Sequence, residues 1–340
     1  MIVLVRRVGA VLTLLAAASV TAASPPAVDR SPAMPTPALL EALRAADLRL
    51  AAIGLRLTTS NAALCRELQP RLGVQWHALS QYQPPVRSAV RANFHFATDT
   101  AIEVVVPAGP ADKAGVHNDD GLISIDGSPV KTALPAAEVP ASTLDRDAID
   151  ARIAKLPPDR PIRLGLERDG ARLEIAVVPV PGCRVRFEVH DEDEASSDDS
   201  IIQIGASFLD RYDDNALAVI VAHELGHVIL RSRARLEAAG AKWGILSEFG
   251  KSGRLHHQAE AEADRLSVYL LANAGYDPML AGQFWRGAGR SLDLGILRNR
   301  AYPDWKTRAA NLDAEAAKIP AGVPLPYVPP MISLRDTPMK

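Results

Sequence analysis

The chain has 340 residues, 48% of them hydrophobic and 23% charged, enough for one large domain or two ordinary ones with real cores. Its formal net charge is −2 and its basic residues are scattered, so nothing marks nucleic acid or an anionic membrane surface as a partner.

In chain order, Arg6 and Arg7 precede a short apolar run at 8–20, and small residues at 20–23 offer a cleavage site. That layout predicts a secretory signal peptide over 1–23. The run is shorter than the roughly 20 residues of a membrane span. No later segment is long and apolar enough, so the expectation is export to a periplasm with no transmembrane segment left after cleavage. A Pro-rich tether follows at 24–37. Leu39, Leu40, Leu43, Leu48, Leu50, Ile53 and Leu57 recur at mixed helical steps and predict a helix over 38–57, within a segment 38–70. In an oxidising compartment the two cysteines, Cys65 and Cys183, read as a disulfide rather than as two separate buried thiols.

Residues 71–98 read as short strands and turns. A β-branched run then reaches a helix at Ala111–Ala114 ended by Gly115, followed by a strand at 122–125 with an Asp126-Gly127 turn. A helix near 146–156 and two strands around Asp169-Gly170 complete the unit. The stretch "PAGPADKAGVHNDDGLISIDGSPV" (107–130) resembles the PDZ domains of bacterial proteases, and the resemblance covers about 86–181. Such domains bind extended peptides by adding a strand to a sheet edge. The loop expected to receive a peptide carboxylate, "RANFHF" (91–96), lacks a glycine, which favours the fold over C-terminal peptide binding.

Residues 183–212 read as strand, acidic loop, strand. Six of the nine residues from Asp191 to Asp199 are acidic, and a solvated hairpin tip accounts for them better than a calcium site does. A helix over 213–230, with Asp213 or Asp214 near its N-cap, carries His223-Glu224-Leu225-Gly226-His227. Positions four apart share a helix face, so His223 and His227 can converge on one metal while Glu224 reaches a water beside it. The alternative is a packed, hydrogen-bonded histidine pair. The apolar flanks bury this helix, however, and buried imidazoles and carboxylates are costly without a strong partner. The long HExxHxxGxxH spacing fails, because Leu230 and Arg233 hold the positions of its glycine and third histidine. A second helix within 256–278, stopped by Gly275 and Pro278, offers Glu260 as third ligand. Asp264, four residues on, can bond the far nitrogen of a ligand histidine. His256, His257 and Glu262 read as an exposed face or lead-in.

HELGH followed by "EAEADRLSVYLLANAGYDP" resembles the HtpX and CAAX-prenyl-protease family of zinc metallopeptidases, gluzincins with an E-x-x-A-D second motif. The resemblance covers roughly 184–313 and the helix at 38–57. It implies an α+β chain: a mainly helical gluzincin domain with a small sheet, at 38–70 and 183–318, and the PDZ-like domain inserted between. Cys65 and Cys183 would staple the ends of the insertion. It implies one Zn2+ on His223, His227 and Glu260, with Glu224 as general base and Asp264 orienting a ligand. Protein or peptide substrates would lie extended along the strand at 200–205, where Ile202, Gln203 and Ile204 sit. Proline at 203 or 204 would then stop cleavage and spare zinc. Family members commonly carry "HP" and then an arginine where this chain reads "AYPDWKTRAANL" (301–312). Tyr302 stands in the histidine's place and Arg308 remains; both are candidates for oxyanion support, with a structural ion pair the alternative for Arg308. The implied function is a zinc metalloendopeptidase of the cell envelope that degrades unfolded or damaged proteins. Its rivals are a catalytically silent holdase and a hydrolase of cell-wall peptides. The Pro-rich tail at 319–340 reads as disordered or as a latch over the active site.

Overall fold

A computed structural model of the chain describes residues 34–130, 139–244, 250–293 and 304–340. The expected signal peptide, most of the tether and Tyr302 lie outside the described residues. Helix α1 (Pro37–Ser60) starts where Thr36 accepts from the Leu39 N–H and Pro37 fills the first turn, in which its missing donor costs nothing. The chain then enters β1 (Leu68–Arg71), β2 (Val74–Ala78), α2 (Arg87–Asn93), β3 (Thr100–Val105), α3 (Pro110–Ala114), β4 (Gly121–Ile125) and β5 (Ser128–Pro129). It continues through α4 (Leu144–Ile153), β6 (Ile162–Arg168) and β7 (Ala171–Val177), and returns by β8 (Val180–Cys183).

Strands β1 and β8 pair antiparallel, with Leu68 opposite Cys183, and form a two-stranded neck. The Cys65–Cys183 disulfide closes it, joining residues 118 apart in sequence with a Cα–Cα distance of 5.4 Å. Beyond the neck lies one sheet in the order β2-β3-β4-β6-β7, with β5 on β4. Asp126 and Gly127 both take positive φ, 47° and 71°, which gives the twist a tight β4–β5 turn needs. Ile102, Leu122, Ile125, Leu164 and Leu166 form this domain's core, with Ile149 and Ile153 of α4 packed among them.

Two expectations about this domain need correction. It begins at Val74, not at 86, because β2 belongs to the same sheet. Residues 91–96 are not a carboxylate-binding loop: they end α2, and Phe94 and Phe96 are buried with Leu79 and Val90. The edge strand of the sheet beside α4 is β2.

The rest of the chain comprises β9 (Arg186–His190), β10 (Ala195–Ser197), β11 (Ile201–Gly205), α5 (Ala206–Arg211), α6 (Asp214–Leu230) and α7 (Ser232–Ala238). These are followed by α8 (Gly250–Asn273), α9 (Leu280–Arg286), α10 (Arg290–Asp293) and α11 (Trp305–Ala316). Leu57 of α1, Leu225 of α6 and Leu266 of α8 meet in the main core, which Ile202 and Ile204 of β11 also enter. The whole is an α+β arrangement, helical around the main core and sheet-rich in the insertion.

Of the acidic segment, Asp198 and Asp199 lie in the turn of the β10–β11 hairpin, whereas residues 191–194 form the crossing from β9 to β10. The three-stranded sheet runs β10-β11-β9, with β11 parallel to β9 and antiparallel to β10. The chain leaves β9, passes to the far edge as β10, and returns through the middle. The tail is neither disordered nor a latch. Tyr327 exchanges backbone bonds with the Asn273 side chain, Arg335 reaches the Leu64 carbonyl at 2.6 Å, and Met331 and Met339 are buried. Among the described residues, no helix is long and apolar enough to cross a membrane.

Candidate metal centre

Helix α6 is apolar along almost its whole length and is buried on most sides. The Asp213 carboxylate accepts from the Ala216 N–H at 2.8 Å and fixes where the helix starts. Gly226 lets α8 come close: a Cβ there would lie 3.1 Å from the Ala263 carbonyl oxygen and 3.3 Å from its Cα. This approach brings Glu260 of α8 opposite the two histidines of α6.

His223 Nε2 lies 3.2 Å from Glu260 Oε2, and His227 Nε2 lies 3.3 Å from Glu260 Oε1. The two Nε2 atoms are 3.1 Å apart. Ligands at roughly 2.0–2.1 Å from a tetrahedral zinc stand about 3.3 Å from one another, so this spacing fits such an ion. Two imidazoles and one carboxylate are also a donor set that zinc accepts. Among the described residues these three are the one group of histidine, cysteine or acidic side chains gathered closely enough to hold a metal.

Asp264 fixes the tautomer. Its Oδ1 sits 2.9 Å from His223 Nδ1, which leaves the Nε2 lone pair facing the centre. Arg308 of α11 donates to Asp264 at 2.8 and 2.7 Å, and its guanidinium lies 3.6 Å above the Trp285 ring. Arg308 therefore stands in an ion pair behind His223. Burial opposes the charge on His223, but hydrogen bonds to Asp264 and Glu260 outweigh it and raise its pKa to about 10. Burial also opposes the charge on Glu260, and the two histidines hold that carboxyl well below its usual range. Asp264 is lowered against burial by Arg308 and His223.

Glu224 is buried, and its Oε2 accepts from the Ser197 hydroxyl at 2.6 Å. Ser197 lies on β10, so the expected substrate strand is corrected here. Ile202, Gln203 and Ile204 are on β11, which is paired on both sides. Proline at 203 or 204 would break the sheet itself. The edges of this sheet are β10 and β9, and β10 is the one that reaches Glu224. Gly205 N–H donates to the Glu194 carbonyl, and Asp198 N–H to that of Ile201. Because antiparallel ladders alternate, Ala195 and Ser197 turn their backbone groups to the outer edge. Sequence reading missed Ser197 and β10, since a three-residue strand inside an acidic run carries no periodicity.

Glu262, expected on an exposed face, is buried and paired with Arg235 at 2.6 Å. His256 bonds the Lys242 carbonyl at 3.0 Å and meets the Trp243 ring edge-on. His257 lines a hollow of about 240 Å³ that also touches Glu260 and Arg308.

No family model matches the chain, and no curated protein matches it. Among solved structures, it is similar to the crystal structure of the HtrA3 PDZ domain bound to a phage-derived ligand (FGRWV). That similarity has 14% identity and a TM-score of 0.24, and covers 34% of this chain and 89% of the other.

Proposed function

We propose that the chain is a zinc metalloendopeptidase of the gluzincin type, acting on extended segments of unfolded or damaged proteins in the cell envelope. The observation that carries this reading is the convergence of His223, His227 and Glu260 beside Glu224, a carboxylate held by the edge strand. Zinc held by those three side chains would supply the Lewis acidity that polarises a peptide carbonyl and acidifies a water. Glu224 takes the proton of the attacking water and delivers it to the leaving amine. Ser197 keeps the Glu224 carboxylate in one orientation, and Asp264 with Arg308 keeps His223 in one tautomer. The outer edge of β10 receives the substrate backbone as an added strand, which reads main chain and is largely blind to sequence. The Cys65–Cys183 disulfide fits an oxidising compartment such as the periplasm, in keeping with the leader-like N-terminus. The inserted domain, with the β2 edge beside α4, would act as a second peptide-docking element.

The test is digestion of an unfolded protein by the purified mature chain and by Glu224→Gln, with zinc counted in both. Cleavage by the unmodified chain alone, at one zinc per chain in both proteins, is the expected outcome. Equal cleavage by Glu224→Gln would remove the assignment.

A further inference from the structure

The inserted sheet ends in β2 on one side and β7 on the other. Strand β2 is interrupted by a bulge at Gln75 and Trp76 and lies beside α4. Strand β7 is a longer and more regular edge. It runs for seven residues, Ala171–Val177, without proline or lysine, and its register against β6 is unbroken. Short length, proline, lysine and bulges are the usual guards against pairing between chains. The Asp169-Gly170 turn closes the hairpin with two residues, at φ 51° and 76°, so Arg168 and Ala171 form a hydrogen-bonded pair. Antiparallel ladders alternate, and Arg172, Glu174 and Ala176 therefore turn their N–H and C=O groups to the free edge. Those three side chains are exposed, whereas Leu173 and Ile175 face the core and stay half-buried. Among the described residues neither Arg172 nor Glu174 has an ion-pair partner.

We propose that β7 pairs antiparallel with β7 of a second copy of this chain, with Leu173 of one protomer opposite Leu173 of the other. In that register Arg172 of each protomer stands opposite Glu174 of the other, and the two pairs exchange the backbone bonds that the free edge leaves open. Charge selects this register. A slip of two residues either way sets Glu174 against Glu174 or Arg172 against Arg172, and like charges directly opposite repel. The two leucines meet in a non-hydrogen-bonded pair, where cross-strand side chains lie closest, so each half-buried Leu173 gains an apolar neighbour. A two-fold axis through that pair makes the contact isologous, and it closes as a dimer instead of growing into a fibre. Strand β2 at the far end of the sheet, and β10 in the other sheet, stay free, so the dimer does not depend on the peptidase reading. One pair of short strands buries less than the roughly 1,200 Å² of a standard interface, and the expected dissociation constant is on the order of 10 μM.

Sedimentation equilibrium of the purified mature chain, from about 1 to 200 μM, reads the association. The unmodified chain is expected to dimerise within that range. Glu174→Arg alone and Arg172→Glu alone each bring like charges face to face at both pairs, and each is expected to weaken the dimer at least ~10-fold. Mixed in equal amounts, the two variants are expected to form a heterodimer as tight as the unmodified dimer, because the glutamates of one then face the arginines of the other. Melting temperatures check that each variant folds. Glu174 stands opposite Gly165 in its own hairpin, so Glu174→Arg disturbs nothing there, whereas Arg172→Glu meets Glu167. Should Arg172→Glu not fold, Glu174→Pro takes its place: it removes an N–H on the open edge, where proline is tolerated, and is expected to abolish the dimer. A chain that stays monomeric throughout the range overturns the proposal, even if β7 then captures an added peptide. A dimer that neither Glu174→Arg nor Glu174→Pro weakens overturns it too, since its contact lies elsewhere. A mixture no tighter than the single variants overturns the register.

Discussion

Asp264 touches His223 on one side and Arg308 on the other, so one carboxylate ties α8, α6 and α11 at the candidate metal centre. Its charge is neutralised from behind, by an arginine itself stacked on Trp285. That arrangement would make Asp264 an orienting partner that does not compete for a metal held by the proposed ligands. Asp264→Ala is expected to lower zinc affinity by about 10–100-fold, read by competition against a chelator. Arg308→Ala acts one link further away and is expected to weaken zinc less. If Arg308→Ala leaves zinc affinity unchanged and yet removes cleavage, its role lies with the oxyanion, as the family resemblance implies.

At the scale of elements, α8 and α11 meet through a second buried carboxylate. Glu315 accepts from Arg265 at 3.0 Å, Tyr269 at 2.7 Å and Lys318 at 2.7 Å. Burial alone would raise its pKa, but these hydrogen bonds bring it down from 4.5 to about 2. A folded-state pKa below the unfolded value stabilises the fold at pH above the unfolded value, and that contribution is lost as pH falls through 4.5 toward 2. Glu315→Gln is expected to melt at a lower temperature at pH 7 and to lose less stability than the unmodified chain between those two pH values. Strand β10 gives a sharper test. Ala195→Pro removes an N–H on the open edge, where proline is tolerated, and keeps the β10–β11 ladder. It is expected to retain the melting temperature and zinc while cleavage falls at least ~10-fold. Gln203→Pro, in the middle strand, is expected to prevent folding. The contrast shows what was legible in the sequence. His223 and His227 could be read together because helical spacing puts them on one face; Glu260, on another helix, was picked out by the resemblance of 260–264 to the E-x-x-A-D motif. The turn at Asp126-Gly127 and the pairing of Cys65 with Cys183 were legible for equally local or combinatorial reasons. Strand order was not: whether β10 or β11 lies at the edge depends on where the chain crosses, and no residue pattern within 191–205 encodes that. The burial of Glu262 was hidden likewise, since its partner Arg235 comes from another helix.

At the scale of the whole molecule, the inserted domain is held in two ways that act on different states. Arg186 of β9 pairs with Asp147 of α4 at 2.6 Å, and Arg146 of α4 pairs with Glu188 of β9, so α4 docks against the sheet that carries β10 to Glu224. These contacts exist only in the folded chain. The Cys65–Cys183 bridge spans 118 residues and restricts the unfolded chain as well. In the chain-entropy model a closed loop of that length is worth roughly 4–5 kcal/mol, and removal of native bridges typically costs about 2–5 kcal/mol. Because the β1–β8 ladder and the α4–β9 ion pairs already fix the neck once folding is complete, the bridge has little left to determine in the native state. The double variant Cys65→Ser with Cys183→Ser is therefore expected to unfold at markedly lower guanidinium concentration, with zinc content and cleavage at 25 °C unchanged. Loss of cleavage in a variant that still folds and binds zinc would mean that the bridge sets the position of the inserted domain, and that this position matters to the metal centre.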